Sequence, residues 1–200
     1  MGQAQAKFDA ATYLEWEERE IERHEFIAGE VFLMSGGTDA HNTITLNAAT
    51  QLKSALRGSP CRAFVAGMKL AIAAADAFLY PDVFVTCDAR DHGADATRAK
   101  HHAALVVEVL SNSTSAYDRS RKFELYQQID TLQEYLLIEQ DRIHADLFRK
   151  NDEGLWVLHP FGSGAIVELA SVGLALPIEA LYEDVEFPAS PPSLAVPSTD

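Results

Sequence analysis

The chain has 200 residues, 48% of them hydrophobic, which suffices for one globular domain with a sizeable core, and no apolar run approaches the ~18–20 residues of a membrane span. Its formal charge of −14 speaks against a protein that coats nucleic acid with its whole surface. The acidity is uneven: residues 1–30 hold eight acids against Lys7, Arg19 and Arg23, residues 151–200 hold eight acids and no base, and in residues 31–150 fourteen acids meet thirteen bases, so a phosphate-facing surface in the middle stays open.

The first residues, MGQAQAKFDAA, lack the apolar core of a secretory leader, and Ala6 stands where a myristoylation signal needs Ser or Thr. The expectation is a cytoplasmic protein whose Cys61 and Cys87 are free thiols. Phe8 to Ile21 predicts an amphipathic helix with Tyr13, Leu14, Trp16 and Ile21 on its apolar side. His24 to Ile27 and Glu30 to Met34 are short β-prone runs around Ala28-Gly29, a hairpin pattern. Asp39 is placed to cap a helix running to about Arg57, ended by Gly58-Ser59-Pro60. Strands are expected over Cys61–Ala66, Met68–Ala73 and Pro81–Cys87, with Ala75-Asp76-Ala77 as a turn and Asp88–His102 as a long polar loop.

The next stretch, Ala103 to Gln127, organises the rest. Leu105-Val106-Val107 and Val109-Leu110 form an apolar, β-branched run that fits a buried strand, and Glu108 sits in its middle. A carboxylate there needs a cation or hydrogen-bond donors. After Ser111–Thr114 a helix is expected from Ser115, with Asp118 three residues on as its capping-box partner. Asp118, Lys122 and Tyr126 recur at intervals of four and share one helix face. Strands follow over Glu134–Glu139, Arg142–Arg149, Leu155–Phe161 and Ile166–Ala170, then a helical turn over Pro177–Tyr182. The order predicts an α+β fold, a central mixed sheet with helices packed on it.

Asp82 opens one strand, Glu108 lies inside the next, and Lys122 follows on a helix. If the strands pair, the two carboxylates converge and can share a divalent cation. Mg²⁺ suits two carboxylates, because it retains waters and binds phosphate oxygens, while Lys122 adds a fixed positive charge. Each residue also has an ordinary structural explanation: Asp82 opening a turn, Glu108 paired with an Arg, Lys122 on a solvated face, Glu25 and Glu30 as exposed strand positions.

Pro81-Asp82, the Glu108-Val109-Leu110-Ser111 run, and Asp118 with Lys122 and Tyr126 resemble the restriction-endonuclease family expanded in cyanobacteria, a branch of the PD-(D/E)xK nuclease superfamily. The hairpin His24–Glu30, His41 and Leu132–Tyr135 are similar to the same pattern, and the resemblance covers roughly residues 12–187. It implies a restriction-endonuclease-like mixed sheet flanked by helices, with an additional antiparallel hairpin region. It also implies Asp82 and Glu108 as metal ligands for Mg²⁺, with Mn²⁺ as a substitute, and Lys122 as the catalytic lysine. That lysine comes from the helix, since Leu110 occupies the position two residues after Glu108. Glu25 is the additional N-terminal acid, with Glu30 as its rival. The implied activity is hydrolysis of phosphodiester bonds in nucleic acid, DNA first, by a homodimer; the alternative is a non-catalytic nucleic-acid- or protein-binding module. Residues 1–187 are expected to form one nuclease-like domain and residues 188–200 a flexible Pro/Ser-rich tail.

Overall fold

The structure, a computed structural model, describes residues 8–34, 36–93, 98–111 and 114–187; the Pro/Ser-rich segment 188–200 lies outside them. Helix α1 (Ala10–Glu17) starts where the Asp9 side chain accepts a hydrogen bond from Thr12 N. Strands β1 (His24–Ile27) and β2 (Glu30–Leu33) form the expected hairpin. Its two-residue turn needs positive φ at both positions, +49° at Ala28 and +92° at Gly29. Helix α2 (Asp39–Ala55) is capped by the Thr38 side chain rather than by Asp39, which sits in its first turn.

Strand β3 (Arg62–Val65) is followed by β4 (Lys69–Ile72), β5 (Ala77–Leu79), β6 (Val83–Thr86), the two-residue β7 (Ala99–Lys100) and β8 (Leu105–Leu110). The site helix is made of α3 (Ser115–Tyr117), a π-helical turn (Asp118–Lys122) and α4 (Phe123–Tyr126). The chain continues with β9 (Glu134–Glu139), β10 (His144–Lys150), β11 (Trp156–Gly162), β12 (Ile166–Leu169) and β13 (Leu174–Pro177).

These strands make a six-stranded sheet in the order β11-β10-β9-β8-β6-β3, a five-stranded sheet in the order β2-β1-β5-β4-β7, and the hairpin β12-β13. The six-stranded sheet is mixed: β8 runs parallel to β9 and antiparallel to β6. All six residues of β8 are buried, as befits a strand covered on both faces. Alternation splits its side chains between two cores. Leu105, Val107 and Val109 join Ile44, Ala48 and Leu52 of α2; Val106 and Leu110 join Leu125 and Tyr126 of α4. Glu108 shares the parity of the second set, so the strand carries it toward the site helix.

Several local expectations are corrected. β5, β7 and β13 were not foreseen as strands. The Asp88–His102 loop is anchored by buried Asp91, which accepts hydrogen bonds from Thr86 Oγ1 and from the backbone N–H groups of His101 and His102. The Ser115 capping box does not form: Thr114 occupies the N-cap without a side-chain cap bond, and Asp118 faces Lys122 instead. Cys61 and Cys87 are joined in a disulfide rather than free. The cause is register: Arg62 pairs with Thr86 across the antiparallel β3–β6 ladder, and the next step sets the cysteines opposite each other.

Candidate active site

On the β6–β8 ladder Val83 lies opposite Val107, and one further step opposes Asp82 to Glu108. Asp82 Oδ2 accepts a 2.7 Å hydrogen bond from Val109 N and lies 3.3 Å from His41 Nε2. His41 is delivered by the first turn of α2, where its backbone N–H donates to the capping Thr38 Oγ1 at 3.1 Å. A Cβ at Gly37 would stand 2.8 Å from His41 Nδ1, so the absence of a side chain there makes room for the imidazole. Burial, the largest effect on His41, lowers its pKa, but the Asp82 carboxylate outweighs it and the net shift is upward. His41 Nδ1 is buried without a hydrogen-bond partner.

Lys122 reaches in from the opposite core. Its Nζ is 2.9 Å from Glu108 Oε1, 3.4 Å from Glu25 Oε1 and 3.7 Å from Asp118 Oδ1. Tyr126, one turn further along the helix, donates its hydroxyl to the same Glu108 oxygen at 2.7 Å. Glu25 is aimed by β1 and fixed by Tyr80, whose backbone N–H donates to Glu25 Oε1 at 3.2 Å. The Tyr80 hydroxyl in turn donates to the fully buried Glu17 at 2.8 Å, which ties α1 to the strand end preceding Asp82. Asp118 and Lys122 stand at the two ends of the π-helical turn, a feature that recurs at functional sites.

Glu25, Glu108, Asp118 and Lys122 are each less than a tenth exposed. Burial, reinforced by Asp82 and Asp118, pushes the Glu108 carboxyl well above its usual pKa against the opposing pull of Lys122. Burial acts to lower the Lys122 pKa, yet Glu108, Glu25 and Asp118 together hold the ammonium protonated. Burial also raises Asp118, with Lys122 again opposing. The cluster therefore carries more acids than cations, and that excess is what a divalent cation would neutralise.

All four residues singled out from sequence, Asp82, Glu108, Lys122 and Glu25, come together. Glu30 does not: it is exposed at the start of β2, paired with Ile27. Sequence reasoning gave too little weight to His41 and Tyr126, and treated Asp118 as a helix cap. The four-residue spacing of Asp118, Lys122 and Tyr126 was the available signal for two of them. Among the described residues no group of three or more His, Cys, Asp or Glu side chains is arranged to hold a metal ion by itself. Asp82 and Glu108 nevertheless place two carboxylates on neighbouring strands, a donor set of the kind Mg²⁺ takes when it completes its shell with water and phosphate oxygens.

The sequence model of the Uma2 family, described as "Putative restriction endonuclease", matches residues 10–179. Two proteins of Synechocystis sp. are similar along most of their length. The uncharacterized protein slr1290 is 38% identical over 181 residues, 90% of this chain and 94% of its own. The uncharacterized protein sll1609 is 34% identical over 162 residues, 80% of this chain and 92% of its own. Among solved structures, that of a protein from Anabaena variabilis described as "a putative nuclease belonging to DUF820" superposes with a TM-score of 0.71. It covers 88% of this chain and 98% of its own at 17% identity, and the likeness is one of fold.

Proposed function

The chain belongs to the Uma2 restriction-endonuclease family, and from that premise we propose that it is a Mg²⁺-dependent endonuclease hydrolysing phosphodiester bonds of DNA. The observation that carries the reading is the buried lysine between Glu108, Glu25 and Asp118, with Asp82 beside them. Three acids converge on this one lysine below the surface, and each buried charge costs stability.

In this reading Asp82 and Glu108 hold the ion, which when bound supplies an activated water and stabilises phosphate charge. Lys122 donates hydrogen bonds to the attacking water and to a phosphate oxygen. Glu25 and Asp118 keep that ammonium protonated, and the Tyr126 hydroxyl sets the angle of the Glu108 carboxylate. His41 braces Asp82 from the α2 side. Residues 1–187 act as one nuclease unit, and a homodimer would supply the two sites that a double-strand cut requires.

Calorimetry with Mg²⁺ or Mn²⁺, alongside cleavage of duplex DNA, tests this. Asp82→Asn and Glu108→Gln should each abolish saturable ion binding and cleavage in a folded protein. Unchanged ion affinity in both would sink the site and leave a nucleic-acid- or protein-binding module that keeps the fold.

A further inference from the structure

Resting on the nuclease reading, we propose that the groove between α2 and β3 carries the sugar-phosphate backbone of the DNA leading away from the cleavage site. The groove is open, has a volume of about 460 Å³, and is lined by Thr50, Lys53, Ser54 and Arg57 of the α2 end with Ala63 and Val65 of β3 among its walls. None of its lining residues is acidic, and the lone acid of α2, Asp39, sits in the first turn at the other end of the helix. For a chain of net charge −14, an acid-free groove with two cations is a local reversal of sign.

The cations are also uncommitted. Arg90, Arg98, Arg119, Arg121, Arg142 and Arg149 each pair with a carboxylate, whereas among the described residues Lys53 and Arg57 are exposed and enter no ion pair. Two hydroxyls stand beside them, the mixture that phosphate backbones meet in positioning contacts. The floor is stiff, because β3 is paired with β6 along its length and linked to it by Cys61–Cys87.

Placement decides in favour of the substrate. β3 ends at Val65, paired with Val83, and the next residue, Ala66, donates its backbone N–H to Asp82 O at 3.1 Å. One end of the groove therefore abuts the strand end that bears Asp82. Along α2, His41 at the site and Lys53 in the groove are roughly 18 Å apart at ~1.5 Å per residue, a span of about five base-pair steps at ~3.4 Å each. Ala63 and Val65 share the α2 side of the sheet with their partners Val85 and Val83, whereas Glu108 faces the site helix, so the strand passes from the site round the β3 edge, by Asp82 and His41, to reach Lys53 and Arg57.

The test is fluorescence anisotropy of a labelled duplex of about 20 base pairs, with Ca²⁺ in place of Mg²⁺, over a range of KCl. K53Q/R57Q should weaken binding about tenfold or more and flatten the log–log salt slope by about 1.8, the release expected for two phosphate contacts. It should also lose the advantage of the long duplex over one of about 6 base pairs. Calorimetry with Mg²⁺ on the same variant should return wild-type ion affinity, which separates this proposal from the metal site. An unchanged salt slope overturns it, as does a wild-type protein that binds no duplex. Competition by poly-glutamate as strong as by DNA would assign the groove to an acidic protein. Loss of self-association with DNA affinity intact would assign it to a second copy; either result overturns the proposal.

Discussion

Lys122 has three carboxylate neighbours, and this changes what its removal costs. A lysine on a solvated helix face contributes a few tenths of a kcal/mol through an i,i+4 pair. Here Lys122→Met strands Glu25, Glu108 and Asp118 together below the surface, and taking one partner from a buried ion pair costs about 3–5 kcal/mol. Urea unfolding should show a loss of that order without metal, and added Mg²⁺ should narrow it by supplying positive charge to the same acids. Single-turnover cleavage should fall roughly 10²-fold, the effect of losing one preorganised contact to the transition state, and Lys122→Arg should not restore it. Wild-type stability and cleavage in Lys122→Met would remove the lysine from both roles. Asp82 and Glu108 were legible in the sequence because a carboxylate at the mouth or middle of an apolar strand has few inexpensive explanations. His41 was not: its place beside Asp82 depends on where α2 docks, and no local pattern carries that.

Element by element, the sequence was most readable where hydrophobic periodicity ran longest. β8, β9, β10 and α2 fall close to their expected positions. β5 and β7, three and two residues long, are too short to show a period, and they exist because the β1–β2 hairpin and β4 offer edges to pair with. The π-helical turn was likewise invisible, since it differs from an α-helix only in its bonding. β4 supplies a test that avoids the acid cluster. Lys69 is buried over the Tyr80 ring, 5.4 Å from its centre, and burial, the largest effect, lowers its pKa below 10.5 even though Glu17 opposes the shift. A lysine depressed in the folded state binds fewer protons there than in the unfolded chain, so stability rises with pH across the alkaline range below 10.5. Lys69→Met should be more stable than wild type near neutrality, and that difference should shrink as the pH approaches 10. Parallel stability profiles for the two proteins would refute the sign.

For the whole molecule, the α+β class and the mixed central sheet were legible from the order of elements. The division into two large sheets was not, because strand order within a sheet is set by contacts distant in sequence. The composition of residues 188–200 leads to a simple expectation: truncation after Phe187 should leave the melting temperature and cleavage unchanged. Phe187 itself must be kept, since its ring lies 5.6 Å from that of Tyr182; a drop of several degrees in the truncated protein would count against the expectation.

The Cys61–Cys87 bond makes a covalent ring of the chain between positions 26 apart in sequence. That ring begins and ends in the six-stranded sheet, through β3 and β6, and between them visits the five-stranded sheet, through β4 and β5. The two sheets are therefore threaded on one closed loop, and Asp82 is a bead on it. Closing a loop of this length removes unfolded-state freedom equivalent to about 3–4 kcal/mol, which for a domain of this size corresponds to roughly 10 °C in melting temperature. With the ring closed the sheets should come apart in one step. Once it is opened by reductant, β4 and β5 should exchange their amide hydrogens before the central strands do. Thermal melts and hydrogen exchange with and without reductant, with Cys61→Ser as the permanently open form, would show this, and identical behaviour in all three would mean that the ring constrains nothing.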